Sequence, residues 1–198
     1  MRLHPLSEAE LTFETERLVL RPFTLEDIDL SRALLFDSEV MKYVGELPED
    51  FDIYKSQHDV VRRGAGGRIG IWCVIEKTTG EKLGDVVLTP LPIELDDTDW
   101  ASVVPDRYPD AEIETGYLLR RSAWGKGYAT EACRRIVRFG FEMTDLDTIV
   151  AVTDPENTAS MHVLQKCGLR QNGLRRAYRD DNCTDFTITR EEWLAQNA

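Results

Sequence analysis

Two carboxylates stand one residue apart in the stretch AEIETGYLL, and a stretch with two glycines, WGKGYAT, follows soon after. Glu112 and Glu114 share one face of a strand, because alternate side chains point to the same side. Gly125 and Gly127 precede a helical pattern, where free backbone N–H groups and the helix dipole favour an anion. The chemistry open to this pair of features is proton transfer beside a bound anion.

The glycine stretch does not fit two common nucleotide-binding patterns. A dinucleotide fingerprint needs a third glycine at the position of Thr130. A Walker-type loop needs Ser or Thr after Gly-Lys, whereas Gly127 follows Lys126. For an isolated Gly-x-Gly, a purely structural turn is the simplest interpretation.

The elements that must position these residues are predicted from periodicity and turn signals. In the second half we predict a strand at Ile113–Leu119, a helix to about Met143, a strand at Thr148–Thr153, a helix at Asn157–Cys167 and two final strands. A strand–helix–strand order of this kind calls for a right-handed crossover and at least one parallel strand pair.

The first half is predicted as a strand at Glu16–Phe23, a helix beginning at Thr24, a second helix at about Pro48–Arg63 and a hairpin of Ile71–Glu76 with Leu83–Thr89. Residues 90–110 contain four prolines and an acidic run, and loops of this length are usually functional or disordered. We expect one domain over residues 1–198, with an N-terminal extension at 1–14 and a long insertion loop at 90–110.

Composition excludes several functional classes. The 198 residues carry a net charge of -12, which argues against nucleic-acid binding as the main activity. No apolar run is long enough for a membrane span, and the N-terminus has no apolar core like that of a signal peptide, so we expect a cytoplasmic protein without a membrane partner. The four cysteines show no metal-ligand spacing, and we expect no metal.

Three stretches together resemble a known enzyme family. ETERLVLRP, GYLLRRSAWGKGYATEA and NTASMHVLQKCGL are similar to the GCN5-related N-acetyltransferase superfamily, and within it to the ribosomal-protein N-terminal acetyltransferases. The resemblance runs from about Thr15 to Trp193. It implies an α/β (α+β) fold, in which helices flank a mixed, mostly antiparallel twisted sheet with a central parallel splay.

The resemblance also implies a site for acetyl-coenzyme A as co-substrate. The N–H groups expected to hold its pyrophosphate are those of Trp124, Gly125, Lys126, Gly127, Tyr128 and Ala129, with the hydroxyl of Thr130 as an additional donor. The strand ending at Leu118 and Leu119 is expected to pair with the pantetheine arm, and Asn157 to hydrogen-bond it. Ser122 departs from the Gln or Arg usual at that point, which leaves the main-chain grip intact.

Two residues are candidates for catalysis. An attacking amine must be neutral, so a base has to take a proton near the thioester. Glu114 is our candidate, acting through a water; the alternative is a solvated edge carboxylate. By resemblance Ser160 faces the sulfur, although it could instead bond only its own backbone. A strand N–H near Leu118 is expected to stabilise charge on the carbonyl oxygen.

The predicted activity is acetyl transfer to a primary amine, of a protein N-terminus or a small molecule, by direct attack in a ternary complex. Two alternatives stay open: a non-catalytic acyl-coenzyme A-binding module of the same fold, and an acyltransferase for a longer acyl group. Arg134, Arg135 and Arg138 could approach the nucleotide's 3′-phosphate, but a solvated helix face explains them equally. A monomer and a homodimer are both compatible with the sequence.

Overall fold

The computed structural model describes residues 3–45 and 59–197. The strands are β1 (Phe13–Glu14), β2 (Leu18–Pro22), β3 (Gly70–Glu76), β4 (Lys82–Pro90), β5 (Ile113–Leu119), β6 (Thr148–Thr153), β7 (Arg170–Ala177) and β8 (Asp180–Thr189). The helices are α1 (Glu8–Leu11), α2 (Ile28–Leu35), α3 (Ser38–Met41), α4 (Tyr128–Met143), α5 (Thr158–Lys166) and α6 (Arg190–Gln196). Most of the helix predicted at about Pro48–Arg63 lies outside the described residues.

The strands form one eight-stranded sheet in the order β1-β2-β3-β4-β5-β6-β8-β7. Strands β5 and β6 are parallel, and the other neighbours are antiparallel. The mixed, mostly antiparallel sheet with a central parallel pair is therefore confirmed. No helix in the described ranges is long and apolar enough to cross a membrane.

Helices cover both faces of the sheet, because alternate strand residues are apolar on each side. On one face, α4 packs Ile136 and Phe139 against Trp72 in the main core cluster. On the other face, Leu30 and Leu34 of α2 pack against sheet residues that include Ile71 and Cys73. The sheet is thus a middle layer, and any residue of β5 belongs to one helical face or the other.

The N-terminal segment contributes to the core. Strand β1 pairs with β2, and the ring of Phe13 lies 4.6 Å from that of Phe139. The buried indole of Trp72 donates to the carbonyl of Leu11 at 2.9 Å. Phe13 and Glu14, expected to belong to an extension, therefore form an edge strand of the sheet, and Leu11 packs beside it.

A buried ion cluster attaches α2 to the sheet. The Asp27 side chain is fully buried and accepts from the guanidinium of Arg21 at 2.6 and 2.8 Å and from the Thr24 N–H at 2.9 Å. Lys82 Nζ lies 2.5 Å from Oδ1 of Asp27. These donors hold the pKa of Asp27 well below its usual range despite burial. The helix start predicted from Thr24 and Asp27 is thereby fixed on strands β2 and β4.

The long loop after β4 packs against the rest of the protein. Leu91 and Val103 are buried, and the carbonyls of Val104 and Pro105 accept from Ala65 and Gly66 at 3.0 and 2.7 Å. The loop has no helix or strand between residues 91 and 112, all of which are described. It therefore borders the N-terminal half of β5, where the acidic residues of the sequence motif lie.

Candidate active site

The site is built around the separation of β5 from β6. The two strands share a single register pair, Glu114 with Val150, and beyond it β5 has no strand partner on that side in the described chain. On its other side β5 stays paired with β4 through Leu119. The C-terminal half of β5 thus borders an open wedge.

The antiparallel ladder decides which main-chain groups face this wedge. The Arg120 N–H donates to Leu83 O at 2.8 Å, and the Leu91 N–H donates to Glu112 O at 2.9 Å. Because hydrogen-bonded pairs alternate along an antiparallel ladder, the even-numbered residues of β5 direct their main chain toward β4. The odd-numbered residues Tyr117 and Leu119 therefore present theirs to the wedge.

This alternation modifies the expected role of Leu118. Its N–H points toward β4, where Leu118 is the register partner of Asp85, so it is not directed at the wedge. The main-chain groups of Leu119 do face the wedge, although its carbonyl accepts from the Trp124 indole at 2.7 Å. The period-2 pattern located the strand correctly, but the pairing partner determined which backbone groups are available.

The two glycines form a cradle of free N–H groups at the start of α4. Gly125 and Gly127 have φ angles of 71° and 81°, in the left-handed region that glycine adopts without strain. Gly127 caps the helix without any side-chain hydrogen bond. Within the described ranges, the backbone N–H groups of residues 125–130 donate to no protein acceptor. Six consecutive free donors at a helix N-terminus could hold an anion.

The cradle is displaced by one residue from the predicted one. The Trp124 N–H donates to Arg121 O at 3.0 Å within a short 3-10 turn, so it is already satisfied. The free donors extend instead to Thr130, whose N–H has no acceptor because Glu131 makes the first helical bond, to Gly127 O. The 3-10 turn before the glycines had no clear signal in the sequence.

Arg17, in the ETERL stretch, stabilises the glycine turn that forms the cradle. Its guanidinium donates to Lys126 O at 2.8 Å and pairs with Glu131 at 2.7 Å. It also lies 4.6 Å from the centroid of the Tyr128 ring. The conformation of the glycine turn is therefore tied to the edge of β2, some 110 residues earlier in the chain.

Glu114 is buried on the face that carries α2. Its exposed fraction is 4%, and loss of hydration raises its pKa to about 8. The phenol of Tyr178 donates to Oε1 of Glu114 and opposes this rise. A carboxyl group with such a pKa can accept a proton near neutral pH and release it again.

A hydroxyl pair lies on the opposite face of β5. The Tyr117 hydroxyl is 3.1 Å from Ser160 Oγ and 3.1 Å from the Ser160 carbonyl oxygen. Burial raises the pKa of Tyr117 further above its usual value, so the phenol keeps its proton. Ser160 thus bonds a residue of β5 as well as its own helix.

A family model for the acetyltransferase (GNAT) domain matches residues 17–170. The chain belongs to this acetyltransferase family. An uncharacterised N-acetyltransferase, p20, of Bacillus licheniformis is 32% identical over 84% of this chain and 86% of its own. An FsC-acetyl coenzyme A-N(2)-transacetylase of Aspergillus fumigatus is 30% identical over 94% and 80% of the respective chains.

Solved structures agree on the fold. Spermidine N-acetyltransferase of Vibrio cholerae, in complex with CoA and spermine, superposes with a TM-score of 0.68. Its identity is 17%, over 91% of this chain and 99% of that one. The family model and the sequence relatives show that the protein is an acyl-coenzyme A-dependent N-acetyltransferase, as the resemblance of its motifs implied.

In this acetyltransferase Asn157 has a structural contact and a free amide. Its Oδ1 caps α5 by accepting from the Ser160 N–H at 3.1 Å. The side-chain NH₂ group donates to no acceptor in the described ranges, so it can still donate to a ligand. The predicted contact with the pantetheine arm stays a prediction.

The three arginines of α4 differ from one another. Arg134 donates to Lys166 O at 3.0 and 2.6 Å, and Arg138 pairs with Glu142 at 2.8 Å. Arg135 lies 4.2 Å from the centroid of the Phe13 ring. The contacts made by these guanidinium groups therefore favour structural roles over the 3′-phosphate contact.

Three residues near the candidate site were not identified from the sequence: Tyr117, Asp85 and Tyr178. Tyr117 stands in the quoted strand, and alternation alone would have placed it on the face opposite Glu114. Burial raises the pKa of Asp85 to about 7, and Asp85 shares the face of Glu114. Tyr178 lies 64 residues from Glu114, and no local pattern links the two.

Proposed function

We propose that this acetyltransferase moves an acetyl group from acetyl-coenzyme A to a primary amine by direct attack in a ternary complex. One observation carries the proposal. A wedge between β5 and β6 has the buried Glu114 on one face, the Tyr117–Ser160 hydroxyls on the other, and the cradle beyond its open end. This arrangement supports the assignment of a base and a proton donor to opposite sides of the wedge.

The residues present fit coenzyme A. The cradle offers six N–H groups and the positive end of α4 to a pyrophosphate, and Gly125 leaves open space in front of it. The carbonyl of Tyr117 and the N–H of Leu119 can pair with an amide-containing arm as a further strand would. When bound, acetyl-coenzyme A supplies the thioester that carries the acetyl group.

Glu114 removes a proton from the acceptor. A primary amine is largely protonated at neutral pH, and only the neutral form attacks a thioester. A carboxylate whose conjugate acid has a pKa of about 8 is matched to this task near neutral pH. The proton moves from the amine nitrogen to a Glu114 oxygen, directly or through one water.

The wedge also offers hydrogen-bond donors to the two atoms that gain negative charge, the carbonyl oxygen and the departing sulfur. The N–H group of Tyr117 can donate to the carbonyl oxygen, a contribution of about 3 kcal/mol for one preorganised bond. The Tyr117 and Ser160 hydroxyls can donate to the departing sulfur, and Tyr117 stays protonated for that purpose.

Direct transfer is supported by the state of the cysteines. All four are buried free thiols, and burial raises the pKa of Cys73 to about 12. Cys133 and Cys167 lie side by side, which further disfavours a thiolate at Cys133. An acyl-cysteine route would need the opposite, an accessible thiol of lowered pKa. No group of three potential metal ligands occurs in the described part of the chain.

The acceptor side favours a cationic amine. A cleft of about 350 Å³ at the start of the long loop is lined by the carboxylates of Asp99 and Asp110, and by that of Glu94, which pairs with Arg176. The Vibrio cholerae relative of similar fold binds spermine. We therefore propose a small polyamine as the first candidate acceptor. The protein N-terminus implied by the ribosomal-protein branch is the second.

A thiol-release assay tests the proposal. Purified protein is incubated with acetyl-, propionyl- and succinyl-coenzyme A, each with spermidine, an aminoglycoside and a peptide with a free N-terminus. We expect release with acetyl-coenzyme A and at least one amine. Binding of acetyl-coenzyme A without release would indicate the non-catalytic module, and preference for a longer acyl group would indicate the other alternative.

A further inference from the structure

A two-residue turn at the end of the β7–β8 hairpin lies against the long loop after β4. We propose that this contact, which we call the hairpin clip, makes Tyr178 a positioning residue: the clip holds its phenol on Glu114 and so tunes the proposed base. The inference rests on the proposed function and extends it to residues 92–96, which no sequence motif assigned to catalysis.

The backbone of the turn is strained in a way that implies external support. Tyr178 and Arg179 have φ angles of 51° and 59°, a left-handed conformation that costs about 1–2 kcal/mol for each residue with a side chain. Two-residue hairpin turns of this type usually carry Asn or Gly. Such strain persists only where surrounding contacts fix it, and it concentrates at functional sites.

The supporting contacts come from the acidic run of the loop. The Tyr178 and Arg179 N–H groups each donate at 3.0 Å, to Pro92 O and Ile93 O respectively. Arg176 donates to both carboxylate oxygens of Glu94 at 3.0 and 3.1 Å. Arg179 donates to both oxygens of Asp96 at 3.0 and 2.8 Å. The clip therefore joins two segments that lie some 80 residues apart in the chain.

The phenol held by the clip ends on Glu114. Its O–H donates to Oε1, and this bond favours the ionised carboxylate. Two other charged side chains act on Glu114: Asp97 from the loop raises its pKa, and Arg175 from β7 lowers it. Loss of the phenol alone should therefore raise the pKa of Glu114.

The variant Tyr178→Phe tests the inference, with Glu114→Gln as reference. The pH dependence of kcat/KM is measured with one acceptor for all variants, and coenzyme A binding checks that each is folded. We expect the acidic limb of the profile to move up by about one pH unit in Y178F, the effect of one hydrogen bond to a charged group. Activity should recover at high pH. An unmoved limb, or a rate reduced equally at every pH, would overturn the inference.

A second variant tests the clip without touching the phenol. Glu94→Arg combined with Asp96→Arg places like charges against Arg176 and Arg179. Positive charges alone would lower the pKa of Glu114, whereas release of Tyr178 would raise it, so the direction of the shift decides. We expect an upward shift, reversed when Arg176→Glu and Arg179→Glu are added. A downward shift would contradict the clip, and this pair carries the test if Y178F does not fold.

The two levels of proposal can fail separately. If the wild type transfers no acetyl group, the proposed function fails. If E114Q keeps the wild-type acidic limb, Glu114 is not the base. If E114Q loses that limb while both Y178F and the charge variant leave it in place, only the role of the clip is refuted.

Discussion

At the scale of single residues, the site depends on one carboxyl group kept out of water. Glu114 follows the same alternation as Glu112, yet Glu112 is exposed and pairs with Arg175, whereas Glu114 is buried beneath Tyr178. The difference in environment gives the second carboxyl group a pKa of about 8. Burial costs stability, since a carboxylate without hydration is unfavourable at pH values where it would otherwise ionise.

Glu114→Gln should therefore lose activity and gain stability. We expect kcat to fall about 10²- to 10⁴-fold, the usual contribution of a general base. The folded pKa of about 8 exceeds the ordinary value of 4.5, so the folded protein binds a proton more tightly, and wild-type stability decreases as pH rises between these values. The variant lacks this decrease and should be more stable by on the order of 4 kcal/mol at pH ~8.5.

Urea unfolding at about pH 5 and pH 8.5 measures this difference. The stability gain of E114Q over the wild type should be small at the lower pH and larger at the higher one. An equal gain at both values would mean that Glu114 titrates normally, and a loss of stability at both would mean that its charged form is favourably held.

At the scale of elements, the cofactor site that we propose consists of backbone groups, and it depends on how β5, the glycine turn and α4 are connected. Six N–H groups are free because glycines at two left-handed positions direct the chain into the helix without a capping side chain. Arg17 fixes the turn from β2. The binding chemistry is therefore insensitive to most side chains of the turn but sensitive to charge in front of it.

Gly125→Glu should weaken coenzyme A binding much more than Gly125→Gln. Both side chains meet the same left-handed backbone and the same open space, so they differ only in a charge held against the pyrophosphate. We expect calorimetry to show affinity about 100-fold lower for G125E than for G125Q. Gly173→Glu, at another glycine of positive φ with open space, is the control and should bind normally. Equal affinities for the two Gly125 variants would contradict the proposal that the cradle binds an anion.

At the scale of the whole molecule, the charge distribution should affect the binding of the two substrates in opposite directions. The chain carries a net charge of -12, and the cleft that we propose for the acceptor is lined by Asp99 and Asp110, and by Glu94, which pairs with Arg176. The negative field attracts a cationic amine and opposes an anionic cofactor, which must then depend on its local cradle. The same acidic loop that faces the acceptor also forms the hairpin clip.

Salt should therefore affect acceptors according to their charge. Raising ionic strength from about 0.02 M to about 0.3 M shortens the screening length severalfold, so KM for spermidine should rise at least about threefold. A monoamine acceptor, as matched control, should change less, and the coenzyme A Kd should not rise in parallel. Identical salt dependence for monoamine and polyamine would show that the carboxylates of the cleft do not attract the acceptor.

Much of this architecture was predictable. The hairpin of β3 and β4, the β5–α4–β6 crossover and the helix at Asn157 follow from periodicity, glycines and caps, which act over a few residues. The contribution of residues 11–14 to the core was not predictable, because the burial of Leu11 and Phe13 depends on Trp72 and Phe139. Short edge strands lack the repeated pattern that identifies longer ones.

The sequence by itself determined the family, the mixed sheet with one parallel pair, and the glycine turn at a helix start, because these depend on local backbone preferences and on motifs contiguous in the chain. Only the tertiary structure decided which backbone groups of β5 face the wedge, that Ser160 meets Tyr117, and that Tyr178 reaches Glu114. These features depend on strand pairing, burial and contacts between segments far apart in sequence. A residue's type specifies which proton it can exchange, but its pKa and partners depend on what folds around it.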